Sequence, residues 1–180
     1  MIYVALLRGI NVGGKNKVEM KQLKCVFEQV GMAQVSTYIN SGNVVFKSDI
    51  LSVESLSEIL EQAIVKHFAL SIKVLLRNIE QLEQLMMKLP DSWQNNKQMK
   101  SDVLFCWEDV SPADLKEQLT IKPAIDDVIF LNQDVLWHVE REQVTRSGMM
   151  RLAGQSIYQK MTVRNVNTTR KIYQLMQQIK

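Results

Sequence analysis

The chain has 180 residues, 46% of them apolar and 23% charged, with a formal net charge of +3. Together with a mean hydropathy of −0.10, these figures point to an ordinary globular chain, long enough for one domain or two small ones. No apolar run approaches the ~18 residues of a membrane helix, Met1-Ile2-Tyr3-Val4 lacks the features of a secretion signal, and Cys25 and Cys106 show no ligand spacing, so the expectation is a cytoplasmic protein with reduced thiols and no membrane association.

Residues 2–8 read as a buried strand. It ends in Arg8 and opens into Gly9-Ile10-Asn11-Val12-Gly13-Gly14-Lys15. Met20, Leu23, Phe27 and Val30 fall at helical spacing, with Gly31 as the stop. Gln34 to Ile39 reads as a second strand, Asn40-Ser41-Gly42-Asn43 as turn chemistry, and Val44 to Lys47 as a third strand. Val53, Leu56, Leu60, Ala63 and His67 mark a second helix, and Ile72 to Leu76 a fourth strand. The order β-α-β-β-α-β over residues 1–77 is the ferredoxin-like split motif. Asn78 and Gln81 have the spacing of a capping box opening a third helix, which Pro90 ends. Residues 78–100 are thus a helix and a polar linker. From 101 onward come a strand (103–107), a helix capped by Ser111-Pro112, a hairpin (128–131 with 135–139) and two helical stretches near 147–160 and 166–179. This repeats most of the first order of elements, with no visible sequence repeat. The fold class expected is α+β, with two ferredoxin-like halves, antiparallel sheets and C-terminal helices.

Three stretches carry candidate chemistry. Glycines let backbone N–H groups approach a ligand without Cβ interference, and Arg8 and Lys15 flank those of the first loop. Gly9-x4-Gly14-Lys15 departs from a nucleotide phosphate loop because Asn16 replaces its Ser or Thr and the helix starts several residues late. Strands one and three of a ferredoxin-like sheet are antiparallel neighbours, so Arg8, Asn11, Ser41, Gly42 and Asn43 converge on one edge. Thr162-Val163-Arg164-Asn165-Val166-Asn167-Thr168 precedes the last helix. There Asn165, Asn167 or Thr168 can cap it, and Arg164 beside free helix N–H groups makes an anion site. Charge is uneven too. Arg8 to Lys24 holds five Lys/Arg and one acid, 141–180 holds eight and one, and 101–140 holds nine acids with Lys116 and Lys122. Basic ends attract phosphates if they meet, and otherwise simply solvate a surface.

The motifs L-L-R-G-I-N-V-G-G, T-Y-I-N-S-G-N-V-V-F and T-V-R-N-V-N-T, in that order, resemble the bacterial domain-of-unknown-function family 1697 along the whole chain. The resemblance implies two ferredoxin-like halves and brings no activity, substrate or cofactor. It marks Arg8, Asn11, Ser41, Gly42, Asn43, Arg164 and Asn165.

Other signals are weaker. Tyr3 on strand one is placed as in an RNA-recognition sheet, but a strand apolar on both faces offers no platform for bases. His67 on an apolar helix face and His138 beside Trp137 have no metal partners nearby and read as structural. The leading reading is binding of a phosphate-bearing ligand, a nucleotide or nucleic acid, at a conjoint site of Arg8, Asn11, Lys15, Ser41, Gly42, Asn43, Arg164, Asn165 and Thr168. All of these offer donors and none is an evident base, so binding is favoured over catalysis. No metal or cofactor is expected for it. A metal-dependent phosphoryl hydrolase or transferase using Asp126 or Glu19 is the alternative. A protein-interaction module built on the acidic third quarter is a further one.

Overall fold

The structure is a computed structural model and describes residues 1–179. The chain divides into two compact units, Met1–Gln84 with the stretch from Lys171, and Leu85–Arg170.

The first unit runs β1 (Ile2–Leu7), α1 (Met20–Gln29), β2 (Ala33–Tyr38), β3 (Asn43–Lys47), α2 (Val53–Phe68) and β4 (Val74–Asn78). Its sheet has the order β2-β3-β1-β4 with every pair antiparallel. The period of two puts Tyr3, Ala5, Leu7, Val44, Phe46, Val74 and Leu76 on one face, and Leu23 and Phe27 of α1 with Leu56, Leu60 and Ile64 of α2 cover it. Phe46 is at the centre, stacked 5.9 Å from Tyr3 and edge-on 5.6 Å from Phe27. Each such side chain removed from water contributes about 1.5–3 kcal/mol. The other face is buried as well, through Val4, Leu6, Val45, Leu75 and the wholly enclosed Arg77. The strands therefore read as unbroken apolar runs, and Tyr3, 2% exposed, is a core residue and offers no ring to a base.

Local signals set the helix ends. Ser52 accepts from the Ser55 N–H at the start of α2, and Ala69 closes it in the left-handed region. α3 (Ile79–Lys88) opens with the reciprocal box, Asn78 N–H to Gln81 Oε1 and Gln81 N–H to Asn78 Oδ1, both 2.8 Å.

The second unit repeats the plan with β5 (Met99–Cys106), α4 (Pro112–Gln118), β6 (Asp127–Phe130), β7 (Asp134–Glu140) and β8 (Met161–Asn165); α5 (Val166–Gln177) follows and crosses the division at Arg170/Lys171. The sheet order is β6-β7-β5-β8, again all antiparallel. Two features differ from the sequence reading. Met161–Asn165 is a strand, which completes the second ferredoxin-like half. The stretch 147–160 is not α-helical. Three 3-10 segments, Arg141–Arg146, Gly148–Gly154 and Ser156–Lys160, stand where the second helix would be. Ser147 and Gln155 are extended and interrupt any continuous ladder. Met149, Leu152 and Ile157 of these segments still pack with Leu115 of α4 and with Leu119 just after it on Leu104, Val135, Trp137 and Met161. The polar segment after α3 is held by distant side chains. Arg170 donates to the Pro90 and Trp93 carbonyls, Arg141 to Asn95 and Asn96, and Asn167 exchanges two hydrogen bonds with the Asn95 backbone.

Candidate functional site

The loop after β1 is built from left-handed residues. Gly9, Asn11, Gly13, Gly14 and Asn16 all have positive φ. Gly13 and Gly14 (φ 58° and 75°) turn the chain tightly enough for Lys15 N–H to reach the Val12 carbonyl at 3.0 Å. Asn11 fastens the loop. Its amide donates to the Val18 carbonyl and to the Asn40 carbonyl of the β2–β3 hairpin, both at 2.9 Å, and its oxygen accepts from Val18 N–H. Asn16 donates to the Gly9 carbonyl.

The hairpin tip meets the same edge. Leu6 is opposite Asn43, and Leu7 N–H donates to the Gly42 carbonyl at 2.8 Å. Asn43 is fully buried and donates to the Tyr38 carbonyl and to Ser41 Oγ. The antiparallel register thus brings Arg8, Asn11, Ser41, Gly42 and Asn43 to one edge of the first sheet. Their work there is divided. The Asn11 and Asn43 amides hold the loop and the tip, and Gly42 lets them approach. Arg8 is half-buried and Lys15 exposed. Among the described residues no hydrogen bond engages the N–H of Gly13 or Gly14, and both residues are exposed.

Arg164, Asn165 and Thr168 belong to the second unit. Arg164 is 8% exposed and donates to Thr162 Oγ1 and to the Val163 carbonyl, both at 2.9 Å. Burial lowers its pKa to about 10, which leaves it cationic at neutral pH. Asn165 is the cap of α5, accepting from Thr168 N–H at 2.8 Å. Asn167 is occupied with Asn95 instead. This corner has a twin that the sequence reading missed. On β4, Arg77 donates to the carbonyl of the residue before it, Leu76, and Asn78 caps the helix that follows. Leu76-Arg77-Asn78-Ile79 and Val163-Arg164-Asn165-Val166 are the same strand-to-helix corner in two halves. The Arg-Asn pair before an apolar helical run was the sequence signal for it.

Asp102, Asp109, Asp114, Asp126 and Asp134 of the acidic third quarter have internal partners. Asp114 completes the capping box with Ser111, Asp109 pairs with Lys160 at 2.7 Å, Asp102 with Lys100, and Asp134 accepts from Cys106 N–H. Asp126 is buried and accepts from Ser147 Oγ, from Gly148 N–H at 2.9 Å and from Lys122 N–H at 2.8 Å. Burial opposes its ionisation, but these bonds outweigh it and hold its pKa below the ordinary value. Asp126 therefore stitches two loops together. Its contribution is complete above the unfolded pKa of about 3.9 and is lost as pH falls through the lower folded value. Asp126→Asn should cost about 2 kcal/mol at neutral pH, and urea titrations should show the gap to wild type closing below about pH 4. A gap that stays constant into that range would contradict this.

His138 is structural. Its Nδ1 is 2.8 Å from the buried Ser101 Oγ, its ring stacks on Trp93, and Nε2 is 3.5 Å from Glu140. His67, read from the sequence as structural on an apolar helix face, is not buried there. It is exposed at the end of α2, in an open cleft of about 280 Å³ with Cys25, Val26 and Phe68. Among the described residues no group of three or more His, Cys, Asp or Glu side chains gathers, and no helix is long and apolar enough to cross a membrane.

The family described as "Protein of unknown function (DUF1697)" matches residues 1–137. That span contains the glycine loop and the hairpin tip but not the Arg164 corner. A solved structure, that of a conserved bacterial protein from Streptococcus pneumoniae, is 31% identical to this chain. It superposes with a TM-score of 0.83, over 97% of this chain and 98% of that one. No curated protein matches the chain.

Proposed function

We propose, for a chain that belongs to the DUF1697 family, that it binds a phosphate-bearing ligand, a nucleotide or a nucleic acid, at the glycine loop of its first unit. One observation carries the reading. The adjacent, exposed residues Gly13 and Gly14, whose N–H groups no hydrogen bond engages among the described residues, lie on a loop fixed by Asn11 and Asn16 and bounded by Arg8 and Lys15. Turns that expose successive N–H groups are anion-binding concavities, and fixed donors lose little entropy when a ligand arrives. The loop N–H groups and the Arg8 and Lys15 side chains are donors and none is an evident general base, which favours binding over catalysis. The metal-dependent alternative finds less support, because Asp126 already has three hydrogen-bond donors. Cys25 and Cys106, neither in a disulfide, support a reducing cytoplasmic setting.

Lys15 is exposed, and among the described residues its hydrogen bond runs from its backbone, so its charge can be changed without unfolding the loop. A ligand that binds the native state raises stability by mass action, by about 2.7 kcal/mol at a hundred times its Kd. Inorganic phosphate or pyrophosphate should raise the melting temperature of the wild-type protein. Lys15→Glu should melt with the wild type when no ligand is present and show no rise when it is added. An equal rise in both proteins would put the anion elsewhere.

A further inference from the structure

Ile39 follows β2 with a φ of +50° and is 49% exposed. A β-branched residue in the left-handed region is an outlier, and such strain gathers at functional sites. Ala69, which also has positive φ, closes α2, and Gln34 stands where the β2–β3 register shifts. Asn11 and Asn16 are of a type that tolerates the region. Nothing comparable accounts for isoleucine at position 39, where asparagine or glycine would make the same turn without strain. Its side chain is not covered by the core either.

The neighbourhood suggests what the side chain is for. Val12, at the tip of the glycine loop, is 66% exposed, and the Asn11 amide bonds the Asn40 carbonyl. The immediate neighbours of Val12 and Ile39 are thus tied together. Two exposed aliphatic side chains accompany the Gly13-Gly14 turn and the cations Arg8, Lys15 and Lys17. From Arg8 to Lys24 the chain has five Lys/Arg against one acid. A bare phosphate makes no use of apolar contacts. A ligand that repeats a phosphate and carries a flat apolar ring beside each one makes use of both.

We infer that Val12 and Ile39 form a platform for the bases of a single-stranded nucleic acid whose phosphates are held by the glycine loop and its cations. The inference rests on the anion-loop reading above and adds the class of ligand. Backbone contacts set affinity and its salt dependence, and base contacts add a salt-independent part through packing. The two parts are therefore separable by mutation.

The experiment is a fluorescence-anisotropy titration of labelled single-stranded DNA and RNA oligonucleotides at several salt concentrations. Ile39→Asn should weaken binding about tenfold with the salt slope unchanged. Because asparagine suits the left-handed region, the same variant should melt at or above the wild-type temperature. Ile39→Gly, which also relieves the strain, must behave in the same way. Lys15→Glu should reduce both affinity and salt slope. If Ile39→Asn and Ile39→Gly bind like wild type while Lys15→Glu weakens binding, the platform is wrong and the anion loop stands. If wild type binds neither oligonucleotide at low salt yet is stabilised by pyrophosphate through Lys15, the nucleic-acid inference falls alone. If Lys15→Glu changes nothing in either assay, the loop reading falls and this inference with it.

Discussion

Gly148→Ala is expected to unfold the second unit or to leave it barely stable. A Cβ added at Gly148 would stand 1.8 Å from the Thr120 carbonyl oxygen and 2.7 Å from its carbon. Neither is the end of a side chain that can swing away. One of two backbone segments must move. If the 147–149 turn retreats, Asp126 loses the Ser147 hydroxyl and the Gly148 N–H. If the Thr120 segment retreats, the Lys122 N–H to Asp126 bond breaks along with the Gln155 amide bonds to Gln118 and Thr120. Each buried group left without its partner costs about 1–3 kcal/mol, and the sum reaches the roughly 4 kcal/mol that marks exceptional substitutions. Trp93, Trp107 and Trp137 all belong to this unit, so urea unfolding followed by tryptophan fluorescence reports on it selectively. A midpoint within about 1 kcal/mol of wild type would show that the turn relaxes at little cost.

Gly42→Ala should destabilise the first unit by about 3 kcal/mol through two additive causes. Gly42 has a φ of +79°, which any L side chain resists, and its added Cβ would meet Leu7 Cβ and Ile10 Cδ1, both at 2.8 Å. Ile10 can adjust at its tip, but Leu7 Cβ is fixed to β1, which pairs with both β3 and β4. The hairpin must therefore lift from the strand at the point where the Leu7 N–H bonds the Gly42 carbonyl. No tryptophan lies in this unit, so the loss should be followed by far-ultraviolet circular dichroism. A variant as stable as wild type would mean that the hairpin tip is loosely held, and the site edge with it.

The glycine at 42 was legible in the sequence as turn chemistry, and so was most of the first half. Apolar spacing located α1 and α2, and the capping pairs Asn78/Gln81 and Ser111 with its proline located α3 and α4. The antiparallel arrangement of strands one and three then places Arg8 and Asn43 on one edge. β8 was missed because Met161-Thr162-Val163-Arg164-Asn165 lacks turn signals around a clear alternation. Its partner β5 lies about sixty residues earlier, with Val103 opposite Arg164, and only tertiary pairing makes it a strand. The stretch 147–160 misled for the opposite reason. Met149, Leu152 and Ile157 satisfy a helical template, and pattern alone does not register the extended Ser147 and Gln155 between the 3-10 segments. Ile39 was read as the end of a strand because β-branched residues favour strands, so its left-handed backbone was invisible. The work of Asn11 and Asn43 within the loop and the tip was equally hidden, since it depends on carbonyls far away in sequence.

The proposed role of the glycine loop is tested most directly by the amide resonances of Gly13 and Gly14 in a nitrogen-15-labelled protein titrated with pyrophosphate. If those N–H groups donate to the bound anion, both should move progressively downfield and saturate together, with Lys15 following and the core amides of β1 unmoved. Lys15→Glu should weaken that saturation. Perturbations that leave Gly13 and Gly14 unmoved while gathering elsewhere on the surface would contradict the assignment of this loop as the phosphate site.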